Sequence, residues 1–157
     1  MITATHPVGV VGIGLVGLAI VERLRAARIK VLGYDIDPAR RDALIAAGAM
    51  VAASANDVFG SCDNIVLALY DGGQTSAVMR EAIPVLAPGT LIVDCGTGDP
   101  DQVVALAVRL AARGVRLVDG PLSGSSQQIR EGTAVMMMGG DRAACDALEP
   151  VLAAIAR

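Results

Sequence analysis

Short, uninterrupted apolar runs recur along this chain, and each is followed by a stretch with helical spacing. Val8-Gly-Val-Val-Gly-Ile13 is the first; runs at Lys30–Asp35, Met50–Ala52, Asn64–Leu69, Leu91–Asp94, Val115–Val118 and Ala134–Met138 follow. A strand that is apolar on both faces must be covered on both faces, which a parallel sheet between two helical layers achieves. Helix boundaries are written between the runs. Asp37-Pro38 and Asp99-Pro100 each place a capping side chain before a proline at the first helical position. Gly48 and Gly114 stop the same two helices. A further helix is expected over Thr75–Ile83, and a last one opens at Asp141 and should break at Pro150. Residues 119–133 read as irregular. Right-handed crossovers give the strand order 3-2-1-4-5-6, a doubly wound α/β fold. Its ligands belong beyond the carboxyl ends of the strands, where the order reverses.

The first such end carries Gly12-Ile13-Gly14-Leu15-Val16-Gly17, a G-x-G-x-x-G turn that leaves a strand and opens a helix. Each glycine has a physical purpose in a dinucleotide-binding, Rossmann-type turn. Gly12 makes the tight bend, Gly14 lets the backbone approach a diphosphate, and Gly17 lets the helix pack close to the sheet. The amides near Gly14, Leu15 and Val16 would face the anion at a positive helix end. Asp35 closes the second strand, where a carboxylate accepts from the adenosine ribose hydroxyls and repels a 2′-phosphate. That favours NAD over NADP. Arg40 and Arg41 follow closely and are expected on the solvated face of the second helix.

Composition removes several other functions. Net charge is −3, the sequence pI is about 5.0, and Tyr34, Phe59 and Tyr70 are the only aromatics, so nucleic acid is not an expected partner. Cys62, Cys95 and Cys145 are odd in number and far apart, which fits a reducing compartment. His6 is the single histidine and has no partner at metal-ligand spacing, so no metal site is expected. The apolar stretch Val8–Val21 contains four internal glycines and is shorter than a membrane span of about 20 residues. No membrane association is expected, and the chain reads as cytoplasmic.

With the turn, Asp35 and three later segments in view, the chain resembles the 3-hydroxyacid dehydrogenase family. Relatives there include 3-hydroxyisobutyrate dehydrogenases, tartronate semialdehyde reductases and, more distantly, 6-phosphogluconate dehydrogenases. Ile65-Val-Leu-Ala-Leu-Tyr70 matches a strand whose family version ends in Leu-Pro and contacts the cofactor; Leu69 is kept and Tyr70 replaces the proline. Asp94-Cys-Gly-Thr-Gly-Asp-Pro100 is similar to an Asp-x-Ser-Thr-x-x-Pro segment, with Thr97 retained beside the implied nicotinamide site and Gly96 in place of serine. Cys95 is read as a small packed residue rather than a nucleophile. Asp119-Gly-Pro-Leu-Ser-Gly-Ser125 resembles the Asp-x-Pro-Val-Ser-Gly-Gly signature that binds a substrate carboxylate. Ser123 and Gly124 match there, whereas Ser125 and Gln128 stand in place of glycines.

The resemblance implies an oxidoreductase that interconverts a 3-hydroxy acid and its semialdehyde by hydride transfer. It covers the family's N-terminal dinucleotide-binding domain, here residues 1–157. The family's catalytic lysine lies on a helix after that domain, which puts its expected place beyond Arg157, and a helical second domain supplies much of the oligomer contact. Lys30 is the only lysine in this sequence and sits in a turn, so no catalytic residue is assigned within the chain. The expectation is a fragment or a short relative, inactive alone, of a protein that forms homo-oligomers. Two alternatives stay open: a stand-alone NAD-sensing module, and a relative of the imine reductases. The first needs no Ser123-Gly124 loop, and that same pair favours the hydroxy-acid reading over the second.

Overall fold

The computed structural model describes residues 6–156. Residues 1–5 and Arg157, the two ends of the expected domain, lie outside the described residues. The expectation that the catalytic lysine follows Arg157 therefore also falls outside them. Six parallel strands form the central sheet: β1 (Val8–Val11), β2 (Val31–Tyr34), β3 (Met50–Val51), β4 (Asn64–Leu67), β5 (Leu91–Asp94) and β6 (Arg116–Asp119). Their order is β3-β2-β1-β4-β5-β6, as the alternating pattern requires. Register is fixed by pairs such as Val10↔Gly33, Val10↔Val66 and Asp94↔Asp119.

Alternate residues of each strand enter two separate cores. Val8, Val10, Val66, Val93 and Val118 pack on one side against Ile20 and Leu24 of α1 (Leu15–Ala26), Leu44 of α2 (Pro38–Ala46) and Leu148 of the last helix. On the other side Val11, Ile65, Leu67, Ile92 and Leu117 meet Val58 and Phe59 of α3 (Ala55–Ser61), Met79 of α4 (Gly72–Ala82) and Leu110 of α5 (Pro100–Ala111). Helices therefore cover both faces. The Asp-Pro starts behave as written: Asp37 Oδ1 accepts from Ala39 N–H and Asp99 Oδ1 from Asp101 N–H, both at 2.9 Å. Gly48 and Gly114 end their helices at φ +75°.

The structure departs from the sequence reading in four places. Helix α3 is an addition to it, although Ser54 caps the helix by accepting from Asp57 N–H at 3.2 Å. Residues 119–133 are not irregular: β7 (Leu122–Ser123) leads into α6 (Ser126–Glu131). The seventh expected strand shrinks to β8 (Val135–Met136), which pairs antiparallel with β7 in a separate two-stranded ribbon. Finally, α7 (Arg142–Leu152) runs through Pro150. The carbonyl four residues earlier belongs to exposed Asp146 and is free to meet water, while Leu148, Val151 and Leu152 are buried beside it. Burying three aliphatic side chains at roughly 1.5–3 kcal/mol each outweighs a helix-interior proline cost of about 3 kcal/mol.

Candidate active-site crevice

The crevice opens at the carboxyl ends of β1, β2, β4 and β5. Gly12 leaves β1 at φ +91°, and its N–H donates to Tyr34 O at 3.0 Å. A Cβ on Gly12 would stand 2.5 Å from Ala68 O, and one on Gly17 would stand 1.9 Å from Gly12 O. The turn itself therefore demands both glycines. Gly14 differs, because a Cβ there would meet nothing closer than Arg40 Nη1 at 3.9 Å. Protein packing does not require Gly14; a side chain there would fill open space above the turn.

That space lies at the N-terminus of α1. Among the described residues the other six helices each begin with a side-chain cap, from Asp37, Ser54, Asp71, Asp99, Ser125 and Asp141. Helix α1 begins at Gly14 with no side-chain cap and no acidic residue in its first turn. Its first-turn amides have no intrahelical acceptor and carry the positive end of the helix dipole. An open cradle over uncapped amides suits a diphosphate. Ile13 is buried, and its N–H donates to Asp35 Oδ2 at 2.6 Å, tying the glycine turn to the end of β2. Leu15 is exposed at the mouth and Val16 is half-buried.

Asp35 is itself only 6% exposed. Its Oδ1 accepts from Asp37 N–H at 2.9 Å, and Arg40 Nη1 stands 3.4 Å from Oδ2. The two arginines do not both lie on the solvated face of α2. Arg41 Nη1 donates to the carbonyls of Asp35 (2.7 Å) and Ile36 (3.1 Å), and its guanidinium sits over the Tyr34 ring, 5.7 Å from the centroid. Arg40 turns back toward the crevice. Ile36, absent from the sequence-based site, is 85% exposed directly after Asp35 and offers an apolar surface to a flat ring. A large aliphatic side chain following the fingerprint acid was the available signal.

On the far side of the sheet centre, Leu69–Asp71 lies against the end of β5. Thr97 forms a parallel bridge with Asp71, and a Cβ on Gly96 would be 3.1 Å from Leu69 O. Serine, the residue implied at position 96, would meet that oxygen, so the glycine is a packing feature. Thr97 and Tyr70 are both exposed at this rim. Beneath them Asp94 is buried, accepting from Gly96 N–H at 2.9 Å. Burial raises the Asp94 pKa above the ordinary carboxylate value, against the Gly96 amide and the neighbouring Thr75, and Asp119 raises it further. Thr75 Oγ1 is buried and has no partner in hydrogen-bond geometry among the described residues. Burial also raises Asp119, and burial followed by Asp94 and Asp119 raises the Cys95 thiol. Cys95 accordingly stays protonated at neutral pH, in keeping with a packing residue.

The loop after β6 starts beside this rim, since Gly120 N–H donates to Asp94 O at 2.8 Å. Ser123 lies on β7 and, with Gly124 and Ser125, is exposed. Ser125 caps α6: its hydroxyl accepts from Gln128 N–H at 3.2 Å while Ser125 N–H donates to Gln128 Oε1 at 2.8 Å. The two departures from the glycine-rich signature are thus one reciprocal capping box. The Ser-x-x-Gln spacing was legible in the sequence and also announces α6. The structure joins the glycine turn to Asp35 and joins Leu69–Asp71 to Thr97. Among the described residues no group of histidine, cysteine and acidic side chains is arranged to hold a metal ion, and no helix is long and apolar enough to cross a membrane.

Comparison with known proteins agrees with this geometry. Residues 7–157 match the family model described as the NAD binding domain of 6-phosphogluconate dehydrogenase. The chain is 32% identical over 152 residues to an L-threonate dehydrogenase of Cupriavidus necator, covering 95% of this chain and 51% of that one. It superposes on the crystal structure of 3-hydroxyisobutyrate dehydrogenase from Salmonella typhimurium with a TM-score of 0.90 at 28% identity, covering 97% of this chain and 54% of that one. An imine reductase of Streptomyces aurantiacus gives a TM-score of 0.88 at 26% identity, with coverages of 95% and 52%. The chain spans about half the length of the curated relatives it matches. With residues 7–157 matched, the chain belongs to the family of NAD-binding domains typified by that of 6-phosphogluconate dehydrogenase.

Proposed function

We propose that this chain is the cofactor-holding part of an oxidoreductase that interconverts a 3-hydroxy acid and its semialdehyde. The carrying observation is Gly14, whose missing side chain keeps open a space that protein packing does not need. In this reading Gly12–Gly17 cradle the diphosphate and Asp35 orients the adenosine ribose. Leu69, Tyr70 and Thr97 line the nicotinamide end. Bound NAD would supply the hydride acceptor. Ser123 and Gly124 hold the substrate carboxylate with exposed hydroxyl and amide groups, and Ser125 shapes the loop as the cap of α6.

A hydroxyl proton must also leave, which takes a group within hydrogen-bond reach. Lys30 is exposed and precedes β2, at the strand end opposite the crevice, so it does not serve. We infer that this group comes from residues beyond Arg157, outside the present sequence, a reading supported by relatives about twice as long. The same reading makes the longer protein a homo-oligomer; exposed Val104 and Val108 on α5 supply apolar surface for such contacts. Three unpaired thiols fit the cytoplasm.

Calorimetric titration with NAD tests the cofactor part, and saturable one-to-one binding is expected. NAD reduction is then assayed with L-threonate, 3-hydroxyisobutyrate and L-serine. Slow or no turnover is expected from the 157 residues, and fast turnover would refute the missing proton carrier. The imine reductase alternative rests on the Streptomyces superposition and would be preferred if imines, rather than semialdehydes, were reduced.

A further inference from the structure

Between the starts of α4 and α5 lies a small cavity lined in part by Gly72, Thr75, Asp94, Gly98 and Gln102. Two of these carry buried polar side chains, Thr75 at 3% and Asp94 at 5% exposure. Thr75 Oγ1 has no partner in hydrogen-bond geometry among the described residues, although it lies close enough to Asp94 to counter the rise in its pKa. Asp94 Oδ1 accepts from Gly96 N–H, which leaves Oδ2 for a further donor. An orphaned buried hydroxyl is costly, and folded proteins commonly satisfy such groups with ordered water. The cavity volume is about 10 Å³, the least that one water needs, and a buried water takes two to four polar partners. Thr75, Asp94 and the Gln102 amide supply them.

We propose that one ordered water occupies this cavity and links Thr75 to Asp94, which makes Thr75 a positioning residue for the nicotinamide end of the crevice. The proposal rests on the dinucleotide reading of residues 12–17. The cavity stands directly behind the rim formed by Tyr70 and Thr97. On one side Thr75 N–H donates to Asp71 O at 3.1 Å, and Asp71 bridges Thr97. On the other, Asp94 holds the Gly96 amide immediately before Thr97. The two loops cross at glycines, since a Cβ on Gly72 would stand 3.3 Å from Gly98 Cα. One water accepting from the Thr75 hydroxyl and donating to Asp94 ties α4 to the end of β5 behind that crossing. It sets the rim through the backbone, without touching the coenzyme. Ser76 and Gln102 are exposed at the outer end of the cavity and also line a wider groove farther along α4 and α5. Water exchanges by that route, so the site stays filled while a coenzyme occupies the crevice.

The test pairs a crystal structure of the whole chain with calorimetric titration by NAD and by ADP-ribose, which lacks the nicotinamide. Density for one water within hydrogen-bond distance of Thr75 Oγ1 and an Asp94 carboxylate oxygen is expected. Thr75→Val removes the hydroxyl at nearly constant shape. It should weaken NAD at least fivefold while changing ADP-ribose less than twofold, whereas a merely structural role would weaken both alike. Thr75→Ser keeps the hydroxyl and should bind NAD within twofold of wild type. Thermal unfolding checks that each variant folds; where Thr75→Val does not, the water density decides. A dry cavity, equal losses of NAD and ADP-ribose in Thr75→Val, or a serine variant as weak as the valine one would overturn the proposal and leave the NAD reading standing. Wild-type protein that binds neither ligand would overturn both.

Discussion

Replacing Gly14 and Gly17 one at a time should separate the glycine that serves a ligand from the glycine that serves the fold. The space beyond Gly14 is open to 3.9 Å, and its φ of −72° and ψ of −161° lie in extended territory. The Cβ of Gly14→Val thus meets no clash in the free protein. Lowered chain entropy in the unfolded state stabilises by about 0.4–1 kcal/mol. Losing glycine at an N-cap costs a similar fraction of a kcal/mol. The balance is near zero, and a chain of this length shifts its Tm by about 2–4 °C per kcal/mol. Calorimetric unfolding should therefore place Gly14→Val within a few degrees of wild type. Its NAD affinity should fall more than tenfold, because the isopropyl group occupies the diphosphate cradle; tenfold corresponds to about 1.4 kcal/mol. Gly17→Ala reverses the pattern, since its Cβ would fall 1.9 Å from Gly12 O, backbone that cannot yield without moving the turn. Overpacking costs typically about 1–3 kcal/mol, and a backbone collision belongs at the top of that range or above it. A drop in Tm of roughly 6 °C or more is expected. If Gly14→Val kept full NAD affinity, or lost as much stability as Gly17→Ala, the assignment of Gly14 to a ligand would be wrong.

Three further outcomes follow from the same contacts. Asp35→Ala strands the amides of Ile13 and Asp37 and should destabilise the chain by about 3 kcal/mol in urea unfolding, with Asp35→Asn milder; a silent Asp35→Ala would show that these bonds contribute nothing. Asp94 has a raised pKa, so its protonated form is favoured by folding. Its contribution is fully present below the unfolded value and lost as pH rises through the folded one. Wild type should accordingly gain stability relative to Asp94→Asn as pH is lowered from about 7 toward about 4, and a pH-independent difference would contradict the direction of that shift. Burial and Asp63 push the Cys62 thiol up to about 11, so Cys62 should resist a thiol reagent at neutral pH until urea unfolds the chain; rapid labelling of Cys62 in the folded protein would disprove its burial.

The sheet was legible because each buried strand is apolar at consecutive positions and each Asp-Pro start is local chemistry. Strand order followed from the doubly wound pattern together with right-handed crossovers. The glycine turn and Asp35 were legible for the same reason, being a fixed spacing at a strand–helix junction. Helix α3 was not, because seven residues show hardly two turns of period, although Ser54 and Asp57 carried the capping signal. Helix α6 was hidden by the glycine-rich resemblance, which drew attention to the loop and away from Ser125 and Gln128. Pro150 misled because propensity is a local term, whereas the burial of Leu148, Val151 and Leu152 is set by tertiary packing. The direction of Arg40 was not legible at all. Neighbouring arginines at the start of a helix have equivalent sequence surroundings, and only the positions of Tyr34 and two carbonyls decide which one is anchored.

The strand order also dictates when the crevice can come into being. Its seam is the pairing of β1 with β4, which joins residues as distant in sequence as Gly9 and Ile65. The strands β1, β2 and β3 can associate through nearer neighbours, but a wall between β1 and β4 exists only once the polypeptide has doubled back past α3. Non-local pairing of this kind is the slow part of assembling a parallel sheet. The crevice is therefore complete only when the two halves of the sheet have met.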